Sequence, residues 1–295
     1  MSIKTTQPHW QIPAKTFLLG EYVALTGKSA LVLTTSPCFT LHLTCQPGLQ
    51  GIHPQSPAGQ YWLQQNFADV GLVWSDPYNG CGGLGASSAQ FIATFKAVCH
   101  VQKNEVNNNQ LLDAYYHYSW DGQGLRPSGY DVIAQLHDQC VYINQQQALD
   151  CYRWLFTDLA FLLVHSGQKM ATHHYLQTTQ LPAELDQLVA LVEQAKYAFV
   201  NQNDEHLINA INSYHNQLLS LGLVAEHTQQ LIDTFKKRFA LSAIKGCGAM
   251  GADVLLLVGS CSIMQQVEQQ LSAERWHILA TNQQIHEAKS GIAYA

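Results

Sequence analysis

The stretch Gly80–Cys99, GCGGLGASSAQFIATFKAVC, sets glycines at 80, 82, 83 and 85 directly before an apolar segment of helical spacing, with Phe91, Ile92, Phe95 and Val98 on one side. Glycine lets backbone N–H groups approach an anion closely, and the helix that follows adds the positive end of its dipole. A serine at such a junction, Ser87 or Ser88, can cap the helix or hold a metal ion or a phosphate oxygen. The chain must therefore build a fixed loop-to-helix corner over residues 80–101.

The first six residues satisfy G-x-G-x-x-G, but a dinucleotide loop leaves a buried strand and is followed about 20 residues later by an acidic group at a strand end. Here polar SDPYN precedes the glycines, and Glu105 lies in the polar run VQKNEVNNNQ. Gly246–Gly251 repeats the pattern but runs into a strand-like segment, so it has no helix N-terminus to offer a pyrophosphate. Gly27-Lys28-Ser29 resembles the end of a Walker loop, with six residues between Gly20 and Gly27 where the pattern needs four. Gly85-Ala86-Ser87-Ser88-Ala89 approximates a nucleophile elbow without the strand that must precede its serine. A loop that binds triphosphate without a Walker lysine and a purely structural glycine turn both remain open at this point.

The chain has 295 residues, 47% of them hydrophobic, and a formal net charge of −6. That length suggests about two domains, divided by a composition shift near residue 155 into 1–155 and 156–295. An acidic balance with no broad Lys/Arg cluster argues against nucleic acid as a partner. No run approaches the ~18–20 apolar residues of a membrane span, and MSIKTTQPHWQIP has no apolar signal region, so a cytoplasmic protein with no membrane partner is expected, as a monomer or homodimer. The eight cysteines contain no C-x-x-C pair and read as reduced thiols. Adjacent His173 and His174 diverge on a helix or a strand, so they do not suggest a metal site.

Residues 11–45 are strand-rich, GLQGIHPQSPAGQ reads as a loop, and LLDAYYHY continues the helical style after Val101. DGQGLRPSGY is a second glycine-bearing loop before the short helix-like DVIAQL and the strand-like CVYI. Beyond LAFLLVH, a buried strand, helices dominate from about 171 to 240; ADVLLLVG, SIMQQVEQQL and WHILAT then read as strand, helix and strand. This mixture is an α+β pattern without a regular βαβ repeat.

Three separated stretches together resemble the GHMP kinase superfamily. They are Pro13-Ala14-Lys15 through Gly20-Glu21-Tyr22 to Gly27, the loop Gly82 to Ala89, and the late glycine loop Lys245 to Asp253. Their order spans nearly the whole chain. Glu21-Tyr22, the loop Arg126 to Asp131, and Ser166-Gly167-Gln168-Lys169 before Thr172 look most like the mevalonate-pathway branch. The resemblance implies a ribosomal protein S5 domain 2-like N-terminal domain, a ferredoxin-like C-terminal domain and a site between them. It implies an ATP-dependent kinase acting on a small molecule, mevalonate or phosphomevalonate, or another hydroxyl acceptor such as a sugar or homoserine; a non-catalytic ATP-binding relative is the further alternative.

By the same resemblance the ATP phosphates lie on Gly82, Gly83, Gly85, Ala86, Ser87 and Ser88. Ser87 or Ser88 holds Mg2+, with Asp121 as a second candidate ligand. Asp131 is the base, although an aspartate there also suits the start of a helix, and Lys15 is its cationic partner. Glu21, Tyr22, Ser166, Lys169, Thr172 and Gly248 line the acceptor pocket. The chain departs from the family pattern at Ala14, Ala86, Cys247 and Ala249-Met250, and has Trp120 where mevalonate kinases carry a metal-binding glutamate; these changes bear on substrate identity.

Overall fold

A computed structural model describes residues 8–145, 148–167, 181, 185–248 and 254–287. Its centre is an antiparallel ribbon of two long strands, β1 (His9–Leu19) and β2 (Ala30–Thr44), registered through Trp10 opposite Leu41 and Lys15 opposite Thr34. On its other edge β2 pairs first with β5 (Cys140–Asn144) and then with β4 (Gly71–Ser75). Two short strands, β3 (Gly48–Gln50) and β6 (Ala148–Tyr152), complete a six-stranded sheet. The second sheet is antiparallel in the order β10 (Ile278–Thr281), β7 (Ala160–His165), β9 (Val254–Gly259), β8 (Ala243–Cys247). The mixed α+β reading of the sequence agrees with this arrangement.

The glycine corner opens α2 (Ala86–Gln102), and it is buried on more than the face carrying Phe91, Ile92, Phe95 and Val98. Ala89, Ala93 and Ala97, four apart, are also fully enclosed. The cause is that α2 has neighbours on both sides: β1 and β2, and the helices α1 (Pro57–Leu63) and α3 (Asn108–Ser119). A helix apolar all round belongs in a core. The start of α1 lies inside the segment expected to be a loop: Pro57 follows the cap Ser56, whose side chain accepts the Gly59 N–H, and proline suits the first turn.

The apolar runs AFLLVH and VLLLVG are buried on both faces of the second sheet. Phe161, Leu163, Leu256 and Val258 join the same core as the first sheet, against α5 (Asp186–Asn201) and α6 (Asp204–Ser220). Leu162, Val164, Leu255 and Leu257 face the other way, against α7 (Glu226–Arg238) and α8 (Cys261–Ala273). Coverage on two faces explains why these strands lack alternation. The chain returns to the first sheet at its end: Ile285 bridges Thr35, the His286 N–H bonds the Thr34 carbonyl at 2.8 Å, and the Gln139 N–H bonds the His286 carbonyl at 2.9 Å. Among the described residues no helix is long and apolar enough to cross a membrane.

One buried group in α6 sets a pH limit on this packing. His215 is 2% exposed, and burial, reinforced by the charges of Lys236 and Lys245, lowers its imidazole to about 4. Unfolded, the same ring takes a proton near pH 6.5, so between these values the unfolded chain binds more protons and stability falls as pH drops from about 6.5 towards 4. Each tenfold difference in proton affinity is worth about 1.4 kcal/mol, so His215 is expected to account for about 3 kcal/mol of that loss. Urea midpoints measured across this range check the expectation: His215→Gln should flatten the curve relative to wild type.

Candidate active site

Strand β1 carries Lys15 into the middle of the molecule, where its side chain is 9% exposed. Its main chain and side chain hold two different elements. The Lys15 N–H donates to the Leu84 carbonyl at 3.0 Å, so the glycine corner closes the edge of β1 that β2 does not use. The ammonium reaches Asp131 Oδ2 at 3.0 Å and also lies 4.8 Å from the Phe17 ring centroid. Asp131 sits in the first turn of α4 (Tyr130–Gln135), which starts at Gly129 with φ +75°. Its side chain is 32% exposed, so the lysine is hidden and the carboxylate stays open. Burial and then the nearby Asp131 carboxylate push the Tyr115 phenol up.

Gln135, at the other end of α4, ties the corner together. Its amide donates to the Pro13 carbonyl at 2.7 Å and the Gly85 carbonyl at 3.1 Å. Its Oε1 lies 2.6 Å from the Ser88 hydroxyl, which is also 2.9 Å from the Gly85 carbonyl. Ser88 is therefore buried and engaged, whereas its neighbour Ser87 is exposed. The two serines suited by sequence to the same role occupy different environments.

The start of α2 fits an anionic group. Its cap residue is Gly85 in a left-handed conformation, no side chain caps the first turn, and that turn contains no acidic residue. Gly83 also has positive φ, at +80°. Orphan N–H groups and the helix dipole face the same point, as a nucleotide triphosphate requires. For Mg2+ the candidates separate: Ser87 is exposed beside this corner. Asp121 is exposed in the loop before α4, its Oδ1 accepting the Gln123 N–H at 3.0 Å, and among the described residues no hydrogen bond or ion pair joins it to Lys15, Asp131 or Ser87. Among the described residues no group of three or more His, Cys, Asp or Glu side chains is arranged to hold a metal ion, so Ser87 would share an ion with phosphate oxygens.

The remaining sequence candidates divide. Glu21 forms an ion pair with Lys245 of β8 at 2.9 Å. Tyr22 is 2% exposed, its hydroxyl donating to the Leu223 carbonyl at 3.1 Å, which makes it part of the core between β1 and the α6–α7 connection. Ser166 is buried at the end of β7, and Gly248 turns with φ +89° at the end of β8. Lys169 and Thr172 lie outside the described residues. Gln135, Lys245 and Cys247 carry contacts that their own sequence surroundings do not suggest, because each works on partners far away in the chain. A cavity of about 290 Å³ flanks the start of α4, lined by Thr26, Gly27, Arg126, Ser128 and Gln145 among others. The Arg126 guanidinium stacks 4.3 Å from the centroid of the Tyr116 ring there.

Gly85 tests how tightly the corner is built. A Cβ at this position would lie 2.7 Å from Lys15 Cγ and 2.9 Å from Lys15 Cε, and φ is +75°. At Gly80 φ is +81°, but nothing lies within 4 Å. Gly80→Ala should cost about 1 kcal/mol of backbone strain, while Gly85→Ala should cost about 2–4 kcal/mol because the lysine must also move. Chemical denaturation of both variants checks this ordering.

No family model matches the chain, and no curated protein matches it by sequence. Solved structures do match. The Methanococcus jannaschii mevalonate kinase superposes with a TM-score of 0.73 over 97% of this chain and 100% of that one, at 14% identity. Streptococcus pneumoniae phosphomevalonate kinase gives 0.73 over 93% and 98%, also at 14% identity. Lactococcus lactis galactokinase, solved with galactose, gives 0.70 over 93% of each chain at 12% identity. Over nearly the full length of these kinases, the chain shares their fold.

Proposed function

We propose that the protein is an ATP-dependent small-molecule kinase of the mevalonate pathway, transferring the γ-phosphoryl group to mevalonate or phosphomevalonate. The observation that carries this reading is the Lys15–Asp131 pair beside the uncapped start of α2. Phosphoryl transfer asks a protein chiefly for positioning and charge stabilisation. Bound nucleotide with Mg2+ supplies the phosphoryl group. Asp131 receives the proton of the acceptor hydroxyl, or orients the acceptor where its nucleophile is already a phosphate oxygen. Lys15 fixes the Asp131 carboxylate and adds positive charge where negative charge develops. The backbone N–H groups of the corner hold the phosphates, Gln135 keeps that corner against β1, and Ser87 offers an oxygen to the metal ion.

The neighbours support the acceptor class: one phosphomevalonate kinase structure of this fold contains phosphomevalonate and AMPPNP, and a Leishmania mevalonate kinase contains R-mevalonate. An acceptor that already bears a phosphate needs an extra cation. Arg126, beside the cavity next to α4, has no acidic partner among the described residues and is suited to that role. An intact Lys15–Asp131 pair favours turnover over simple nucleotide sensing.

ADP release should depend on Mg2+, on ATP and on one of the two acceptors offered separately. Asp131→Asn and Lys15→Met should each lower kcat by at least about 10²-fold, in line with the loss of a positioned base or charge, while ATP affinity changes little. Nucleotide binding with no turnover of either acceptor would sink the pathway assignment and direct the search to sugars and amino alcohols.

A further inference from the structure

Strand β6 ends the first sheet with one edge unused. It pairs with β5, from Cys140 opposite Tyr152 to Asn144 opposite Ala148, and among the described residues no other strand joins it. A row of open N–H and C=O groups is a template for a further strand, and chains block such edges with bulges, prolines, lysines or very short strands. The opposite end of the sheet is blocked in that last way, since β3 has three residues. β6 has five, ALDCY, paired without a bulge and free of proline and lysine. Its charged residue, Asp150, is held at 3.2 Å by Lys196 of α5, on the helix side of the sheet.

Apolar side chains collect around the same edge. Tyr142, opposite Asp150, faces α5: its hydroxyl donates to Glu193 at 2.7 Å, and Lys196 lies 3.9 Å from its ring centroid. Phe199 of α5 packs against Tyr152 and Trp154 on that side. Alternation along a strand then turns Leu149 and Cys151 to the other face. There they stand opposite Ile143 and Val141, where the apolar cluster beneath α4 ends. Among the described residues seven large apolar side chains are strongly exposed, and four of them lie here: Leu149 and Leu155 on and after β6, Tyr197 and Val200 beside Phe199. Single exposed apolar residues need no explanation, whereas a group of them along an open edge marks an interface.

We propose that a second copy of this chain docks on β6, antiparallel and edge to edge, so that the two first sheets join into one. Identical antiparallel strands related by a two-fold axis offer each other donors and acceptors at the same spacing, and each covers the other's exposed apolar groups. The two-fold axis also limits the register, because a central residue must face its own copy. Centred on Asp150, the pairing sets like charges opposite each other, which is unfavourable. Centred on Tyr152, it runs past the end of the strand. Centred on Cys151, it puts Asp150 opposite Tyr152 of the second copy, a carboxylate against a hydroxyl donor. Leu149 then meets Arg153 of the second copy, whose aliphatic stem can cover it. Arg153 is exposed and forms no ion pair among the described residues, so it is available for this contact. The two Cys151 residues face each other with Cα atoms about 4.5–5.5 Å apart, within the span of a disulfide. The inference stands apart from the kinase reading.

Sedimentation equilibrium of the full chain, from about 1 to about 100 μM, tests this. The expected result is a mass approaching that of two chains, with Leu149→Lys and Cys151→Lys each raising the dimer dissociation constant about tenfold or more. Diamide, which takes up the two thiol hydrogens as the sulfurs join, should convert wild type into a cross-linked dimer on a non-reducing gel. Cys151→Ser should abolish that product, while Cys45→Ser and Cys261→Ser, at the other exposed cysteines, should retain it. The mass of a single chain at every concentration overturns the inference. So does a dimer that both lysine variants leave intact, or a cross-link that runs through Cys45 or Cys261 instead. Circular dichroism checks that the variants fold; if Leu149→Lys does not, Cys151→Lys, at an exposed side chain, carries the comparison.

Discussion

Lys15 is the residue on which the cleft depends, because it holds both segments that build it. Its N–H fixes the glycine corner to the edge of β1, and its ammonium fixes Asp131 at the start of α4. The distance between the start of α2 and the carboxylate on α4 is thus set from one residue in an extended strand buried on both faces, with Gln135 of α4 tying the corner a second time. An extended backbone in a closed core has little freedom to adjust, since interiors are packed at crystal density. Gly85 follows from the same constraint: the aliphatic part of Lys15 fills the space that any side chain at that position would need.

Charge is concentrated in the same region. Two ion pairs, Lys15–Asp131 and Lys245–Glu21, differ in their exposure, one partly open and one sealed beside Cys247. Buried pairs are poor sources of stability but strong sources of geometry, because removing one partner leaves an uncompensated charge at a cost of about 3–5 kcal/mol. The sealed pair also joins the connection after β1 to β8, alongside the Tyr22 hydroxyl on the Leu223 carbonyl. The second sheet is consequently held against the first by polar contacts as well as by their common apolar core.

Local patterns make much of this readable. The glycine corner and the helix after it follow from glycine positions and apolar spacing, and Lys15 and Asp131 follow from the motifs around them. The strands β3 and β6 are not visible in the sequence, since three polar-flanked residues and the half-exposed ALDCY carry little alternation. Ser87 and Ser88 cannot be told apart there, because burial against Gln135, 47 positions from Ser88, decides which of them is free. Lys245 reads as the first residue of a glycine loop. In the fold it belongs to a strand, and its partner Glu21 is 224 positions distant, beyond the reach of any local pattern.

The return of residues 285–287 to the first sheet affects how the chain can be divided. The peptide passes between the sheets twice, once between Tyr152 and Ala160 and again between Thr281 and Ile285. The last crossing supplies the donor for Thr34 and the acceptor for Gln139 in the first sheet. A fragment cut between the sheets would leave those groups without their partners. The molecule is in effect a loop fastened near its end, and the fastening lies on the strand opposite Lys15.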